Sequence, residues 1–207
     1  MDTRQKLIEF FEEFPGIGPR QARRFVHHLL LSPTSIVHEI SQLIDRLQKD
    51  ARMCSLCFRF FDTKKNNATL CEICADVTRT KDTLMVVARD SDIVQIERSG
   101  SYRGFYFVLG DTLQVVTTTP THNARVKELT RRVSRDVAQG LTEVIFAFNA
   151  TPEGEHTRIQ LEHQLAESIK IPLTYSTLGR GLSAGLELEY SDTDTIVQAV
   201  RHRTSHQ

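Results

Sequence analysis

CSLCFRFFDTKKNNATLCEIC, residues 54 to 74, sets two Cys-x-x-Cys units thirteen residues apart and contains every cysteine of the chain. Each such turn aims two thiolates at one point, and two of them complete a tetrahedral zinc site with Zn–S bonds of about 2.3 Å. Cys54, Cys57, Cys71 and Cys74 leave no coordination position for water, so a zinc held here is structural. A redox dithiol is the rival reading of the same pairs. Their confinement to one short segment disfavours a disulfide framework spread over the chain. Between the pairs, Arg59, Lys64 and Lys65 read as charges of a solvated loop within reach of phosphate.

On the N-terminal side of the cysteines the spacing is helical. Leu7, Phe10, Phe11 and Phe14 recur every three to four residues, as do Ala22, Phe25, Val26 and Leu29, and then Ile36, Ile40, Leu43, Ile44 and Leu47. Ser32-Pro33-Thr34-Ser35 separates the second helix from the third. The first two are separated by FPGIGPRQARR, residues 14 to 24. Pro-Gly-Ile-Gly-Pro fits neither helix nor strand, because proline fixes φ and glycine admits φ > 0. No strand precedes Gly16-Ile17-Gly18 and no Gly-Lys-Ser/Thr follows, so neither a nucleotide P-loop nor a dinucleotide fingerprint fits. Helix, Pro-Gly-Ile-Gly, helix instead resembles the helix-hairpin-helix DNA-binding element. Gly16, Ile17 and Gly18 would offer backbone N–H groups to a phosphate at a helix N-terminus, with Arg20, Arg23 and Arg24 neutralising its neighbours. Such contacts read no bases, so binding would be largely independent of sequence. The alternative is a tight turn followed by a solvated basic face.

On the C-terminal side the texture changes to continuous apolar runs of the kind buried in parallel sheets: LMVVA (84–88), FYFVLG (105–110), EVIFAFN (143–149) and LTYSTL (173–178). Helical patterns intervene at Ile93–Ile96, Arg125–Gln139 and Thr157–Ile169. Strands alternating with helices predict a layered parallel α/β sheet. The fold class expected is therefore α+β and multi-modular: a helical hairpin region over 1–53, a four-cysteine zinc ribbon over 54–76, an α/β domain over 77–176 and a C-terminal segment over 177–207.

Twenty-six basic residues balance 26 acidic ones, so affinity for nucleic acid has to come from a local patch and not from a global field. No apolar run approaches the roughly 20 residues of a membrane helix, and the N-terminus lacks the apolar centre of a signal peptide, which points to the cytoplasm. Arg125, Lys127, Arg131, Arg132 and Arg135 read as a solvated helix face that could also line a DNA channel. His27, His28 and His38 have no metal spacing and read as surface or packing residues.

The order of these features, with FPGIGPRQARRFVHHLL (14–30), IERSGSYRGFYFVLG (96–110), NATPEGEHT (149–157) and GLSAGLELEYSD (181–192), resembles the RecR family of bacterial recombination mediators over nearly the whole chain. The resemblance implies that the α/β module is a Toprim domain, the fold of topoisomerase and primase catalytic cores, and that the protein is nevertheless not an enzyme. It implies a homo-oligomeric clamp, tetrameric or dimeric, that binds DNA and works with RecO or RecF to load RecA onto coated single strands. Arg20 and Arg24 fall on the family's DNA-contacting basic positions.

The chain departs from the pattern where chemistry would need it. A catalytic Toprim site uses a glutamate after its first strand and an Asp-x-Asp after a later one to hold Mg²⁺. Here those strands end in Val86-Val87-Ala88 and Asn149-Ala150-Thr151. RecR proteins usually keep the glutamate. DTLQVVTTTPTHNARV (111–126) replaces the family's glycine-rich stretch, and Ser183 and Leu186 replace a usual proline and glycine. A Mg²⁺-dependent nuclease or primase-like enzyme would have to draw on Glu153, Glu155, Asp90 or Asp111, which with Asp92 read more simply as helix caps and surface acids. A protein-binding scaffold that touches no DNA is the third reading.

Overall fold

The computed structural model describes residues 2–62, 68–113, 120–179, 181–182, 185, 187–201 and 203. The expectations placed on Lys64, Lys65, Ser183 and Leu186, and on residues 114–119 of the altered stretch, fall outside them. The chain divides into two compact units, Met1–Arg52 with Asp62–Asn66, and Met53–Phe61 with Asn67–Gln207.

The first unit holds three helices: α1 (Thr3–Glu12), α2 (Pro19–Leu31) and α3 (Thr34–Asp50). Asp2 caps α1 by accepting the Arg4 backbone N–H at 3.3 Å. Between α1 and α2 the turn depends on Gly16, whose φ of +78° lies in the left-handed region, while Pro19 occupies the first helical position, where its missing N–H costs nothing. Ala22 and Val26 are buried, and the Phe11 ring lies 5.7 Å from Phe25 and 6.1 Å from Phe14. The third helix forms as its periodicity predicts, yet Leu43, Ile44 and Leu47 are each more than half exposed. A three-helix unit this small buries too little surface to cover every apolar stripe it carries.

Two short strands, β1 (Ala51–Met53) and β2 (Phe60–Asp62), pair with each other, and a single turn of helix, α4 (Glu72–Ala75), carries the second cysteine pair. The second unit then runs β3 (Thr83–Val87), α5 (Asp90–Ser99), β4 (Phe105–Val108), α6 (Pro120–Val137), β5 (Glu143–Ala147), α7 (Pro152–Ser168) and β6 (Thr174–Thr177). A 3-10 turn at Leu188–Tyr190 and α8 (Thr193–Arg201) follow. The four main strands are all parallel in the order β4-β3-β5-β6, with Leu84 beside both Phe105 and Val144.

Alternation along the strands sorts their side chains into two cores. Leu84, Val86, Phe107, Val144 and Phe146 pack with Val126, Leu129 and Val133 of α6 and with Leu161 and Leu165 of α7. On the opposite face Met85, Val87, Tyr106 and Val108 pack with Ile93 of α5 and with Cys54, Cys57 and Cys71. Both faces are covered, which explains why the strands read as unbroken apolar runs. On the cysteine face, Glu97 receives hydrogen bonds from Arg79 and from Tyr106 Oη. Burial alone would raise the Glu97 carboxyl, but these bonds outweigh it and hold it below its ordinary range.

Three helices are longer than their patterns suggest, α6 because it starts at Pro120, five residues before the expected Arg125. α5 starts at Asp90, where the Asp92 carboxylate accepts the Arg89 N–H at 2.8 Å and closes the first turn. α7 starts at Pro152, five residues before the expected Thr157, because Thr151 caps it and proline is at home in a first turn.

Gly154 of α7 is buried against the backbone, and a Cβ there would sit 2.1 Å from the Asn149 carbonyl oxygen. Alanine usually gains about 1 kcal/mol over glycine inside a helix. Gly154→Ala is expected to have the opposite sign, losing about 1–3 kcal/mol in urea unfolding, because the 149–151 turn must shift.

Candidate metal centre and nucleic-acid interface

The four cysteines converge. Their Sγ atoms all lie within 4.8 Å of one another, and they are the one group of three or more potential metal ligands among the described residues that does so. Sulfurs at the corners of a tetrahedron with bonds of about 2.3 Å are about 3.8 Å apart, and Cys57 Sγ and Cys71 Sγ stand at 3.5 Å. Backbone N–H groups approach the sulfurs as in a ligand cage: Cys71 N–H is 3.4 Å from Cys54 Sγ, and Cys74 N–H is 3.5 Å from Cys71 Sγ. Hydrogen bonds from Cys57, Cys71 and Cys74 hold the Cys54 thiol far below its usual range, and the same contacts push Cys57 and Cys74 far above theirs. Four thiolates this close repel one another, and a single cation at their centre relieves all the repulsion at once. The residues therefore fit a metal ion with four thiolate ligands.

Local geometry explains how the first pair is aimed. The Phe58 N–H bonds the Cys54 carbonyl at 3.0 Å, closing a turn that leaves Phe58 with a φ of +63°, the one positive value among the described non-glycine residues. Such a conformation is unfavourable for a bulky side chain. Packing holds it there: the Phe58 ring lies edge-on to Phe107 at 5.3 Å, and the Arg125 guanidinium lies over it at 4.2 Å.

Two expected solvated cations turn out to be structural. Arg59 bonds Glu72 at 2.9 Å and approaches Asp90 at 3.3 Å, with only 16% of its side chain exposed. Burial opposes its charge, yet Glu72, Asp90 and the nearby Cys71 and Cys57 outweigh it and raise the guanidinium above its ordinary value. Arg132, expected on a solvated helix face, is buried. It donates to the Leu56 carbonyl at 2.8 Å and to Asp136 at 2.5 Å, which ties α6 to the first cysteine turn. Arg125 is likewise half-buried over Phe58, and burial pulls it below the usual guanidinium range. Arg131 and Arg135 remain on the surface, paired with Glu128 and Asp136. Asp136 lies at helical spacing from Arg132, but the Leu56 carbonyl and the Phe58 ring that bury Arg132 and Arg125 come from elsewhere in the chain.

The carboxylates that a Mg²⁺ site would draw on are engaged separately. Asp90 accepts the Phe60 N–H at 2.9 Å, Asp92 caps α5, Asp111 takes its own Thr112 N–H at 2.8 Å and pairs with Arg89, and Glu155 pairs with Arg158. Glu153 lies exposed in the first turn of α7. Ala88, at the position a catalytic glutamate would take, is buried, and its carbonyl accepts the Gly110 N–H at 3.0 Å.

In the helical unit, the hairpin leads into an exposed basic helix. Ile17 donates its N–H to the Phe14 carbonyl at 3.0 Å, so of the three expected amides this one already has an acceptor within the turn. Gly18 is the N-cap of α2 with no side-chain cap, no acid stands in the first turn, and the first backbone bond to Gly18 comes from Ala22. The amides of Arg20 and Gln21 at the positive end of the helix are thus left uncapped. Arg20, Arg23 and Arg24 are all exposed. Among the described residues none of them is in an ion pair, whereas Arg59, Arg79, Arg89, Arg131, Arg132, Arg135 and Arg158 of the other unit each hold a carboxylate.

A family model described as RecR, helix-hairpin-helix matches residues 4–48, and a Toprim domain model matches residues 82–175. A recombination protein RecR of Flavobacterium johnsoniae is 34% identical over 199 residues, covering 96% of this chain and 91% of the relative. That of Bacteroides fragilis is 33% identical over 201 residues, 97% and 93% of the two chains, and that of Carboxydothermus hydrogenoformans 34% over 200 residues, 96% and 94%. Among the described residues no helix is long and apolar enough to cross a membrane.

The cysteine centre generates a direct test. Purified protein is expected to carry a single metal ion per chain, and Cys71→Ser to lose it together with several degrees of Tm, because metal binding supplies folding free energy. Equal metal content and Tm in elemental analysis and calorimetry would contradict the assignment. Far-UV helicity from α1 to α3 should survive the substitution, since those helices belong to the other unit.

Proposed function

The chain belongs to the RecR family, and from this premise we propose that it is a zinc-stabilised, non-enzymatic DNA-binding mediator of recombinational repair. The observation that carries the reading is the set of unpaired arginines directly after the Gly16–Gly18 turn, in a chain whose net charge is zero. Gly16, Ile17 and Gly18 form a turn low enough for a phosphate to reach the end of α2, and Arg20 and Arg24 neutralise it. Contacts of this kind hold the backbone and ignore the bases. The metal is zinc: four thiolates with no open position suit it, and it has no redox chemistry of its own. It fixes the cysteine turns and takes no part in any reaction.

The separated acids of the α/β unit support binding without cleavage. Partners of the RecO or RecF type and the loading of RecA belong to this proposal, as does a cytoplasmic location, where chromosomal DNA lies. Self-assembly into a dimer or tetramer is supported by the exposed apolar stripe of α3, which runs through Ile40, Leu43, Ile44 and Leu47.

Two measurements test the reading. Arg20→Ala with Arg24→Ala should weaken binding equally on unrelated DNA sequences. It should also make the slope of log affinity against log salt shallower by roughly 1.4–1.8, at about 0.7–0.9 per lost contact. Binding that is unchanged would count against the hairpin as the interface. Leu43→Glu with Leu47→Glu should bring the mass in light scattering down toward that of the 23.6 kDa chain.

A further inference from the structure

Arg20, Arg23, Arg24, His27, His28 and Leu31 recur along α2 at intervals of three and four residues, which places them on one face of the helix. Ala22, Phe25 and Val26 lie on the opposite face, where Ala22 and Val26 are buried and Phe25 meets Phe11 of α1. The second half of the stripe borders a shallow groove of about 420 Å³ walled by Arg23, Arg24, His27, His28 and Leu31. From Arg20 to Leu31 it extends about 16 Å at 1.5 Å per residue. One phosphate at the hairpin would use only its first turn.

We propose that the DNA-binding surface continues past the hairpin along this face, with Arg23, His27 and His28 seating the next phosphates of the same strand, and the two histidines making affinity depend on pH. The proposal rests on the hairpin reading above. α2 carries no carboxylate, so nothing on the helix competes with a phosphate for these side chains. The charged groups of the bordering elements are Arg4, Lys6, Glu9, Glu12 and Glu13 of α1 and its exit, with His38 and Glu39 early in α3 and Asp45, Arg46, Lys49 and Asp50 further along it. α1 meets α2 from the Ala22–Phe25–Val26 side, and His38 is bonded to Gln42 at 2.8 Å. No described carboxylate is within ion-pair distance of His27 or His28, in contrast to His163, which has Glu167 at 3.6 Å. A neutral imidazole offers a phosphate one N–H, whereas the imidazolium offers two and a charge. Protonation of the ring adds that charge, and a bound phosphate favours the charged form.

The number of charges that meet the backbone should therefore rise from about three to about five between pH 8 and pH 6. The test is fluorescence anisotropy of the full chain on a labelled oligothymidylate and on a duplex of equal length, over a salt series at each pH. Wild type should steepen its salt slope by roughly 1.4 on the single strand and 1.8 on the duplex at about pH 6. His27→Gln with His28→Gln should abolish the steepening, since neither glutamine can gain a charge as the pH falls. Arg23→Ala should flatten the slope by about 0.7–0.9 at both pH values. A wild-type slope equal at the two pH values, or steepening that survives in the histidine variant, overturns the proposal. If Arg20→Ala with Arg24→Ala abolishes binding while the histidine variant steepens as wild type does, only the extension fails. If the arginine pair leaves binding intact, the hairpin reading has failed first. Circular dichroism of each variant, expected to match wild type because all the substituted side chains are exposed, separates lost contacts from lost folding.

Discussion

Four sulfur atoms brought to one point are the constraint from which much of the second unit follows. They cannot converge unless each Cys-x-x-Cys turn closes tightly, and the first closes only with Phe58 in a backbone conformation that phenylalanine disfavours. The cost is offset by the surroundings: Phe107 and Arg125 grip the Phe58 ring, Arg132 holds the Leu56 carbonyl, and the Val108 N–H of β4 donates to the Cys57 carbonyl at 2.8 Å. That last bond matters for the sheet as well. β4 is an edge strand, and an uncovered edge invites pairing with other chains. The cysteine turn covers part of it. The metal module thus shares a core with the sheet, with Cys54, Cys57 and Cys71 packed against Met85, Val87 and Tyr106 where a doubly wound fold would otherwise put more helix.

Much of this was legible in the residues because it rests on local chemistry. Cysteine spacing announces a ligand set, and unbroken runs such as Leu84–Ala88 announce strands covered on both faces. The Pro-Gly-Ile-Gly turn is legible for the same reason, since only a few backbone conformations satisfy it. Legibility failed where tertiary partners decide. Arg59 and Arg132 look like surface charges in sequence, and only the fold shows that Glu72 and the Leu56 carbonyl await them. The start of α7 was obscured because Pro152 and Gly154 suggest a loop, whereas one sits at a first helical position and the other permits contact with the Asn149 backbone. β1, β2, α4 and α8 span only three to nine residues, too short to display a period.

The distribution of charge also gains meaning from the fold. A chain with 26 charges of each sign has no net field to attract DNA. What it has is an uneven pairing of those charges. In the α/β unit Arg59, Arg79, Arg89, Arg131, Arg132, Arg135 and Arg158 are each bound to a carboxylate and have less to offer a phosphate, while Arg98, Arg103 and Arg125 are in no ion pair among the described residues. Among the described residues the arginines of α2 have no such partner, and the uncapped end of the helix adds its own positive potential. Neutral composition and a strong local attraction for an anionic backbone are therefore compatible.

The same pairing shapes the end of the α/β sheet. At the C-terminal ends of β3 and β5, where an open α/β sheet presents its crevice, the chain places Ala88, Arg89 and Asn149. A divalent cation prefers several carboxylate oxygens aimed at one point. Ala88 supplies none, and Arg89 adds a positive charge whose described partner, Asp111, is the nearest acid on the neighbouring loop. Asp90 is turned to the Phe60 amide and Arg59, so it holds the cysteine module in place and is not free to lean toward a metal at the sheet edge. This acid is part of what ties the cysteine module to the sheet. Restoring a carboxylate at position 88 alone would therefore place one buried acid beside an arginine, which makes an ion pair and not a metal site.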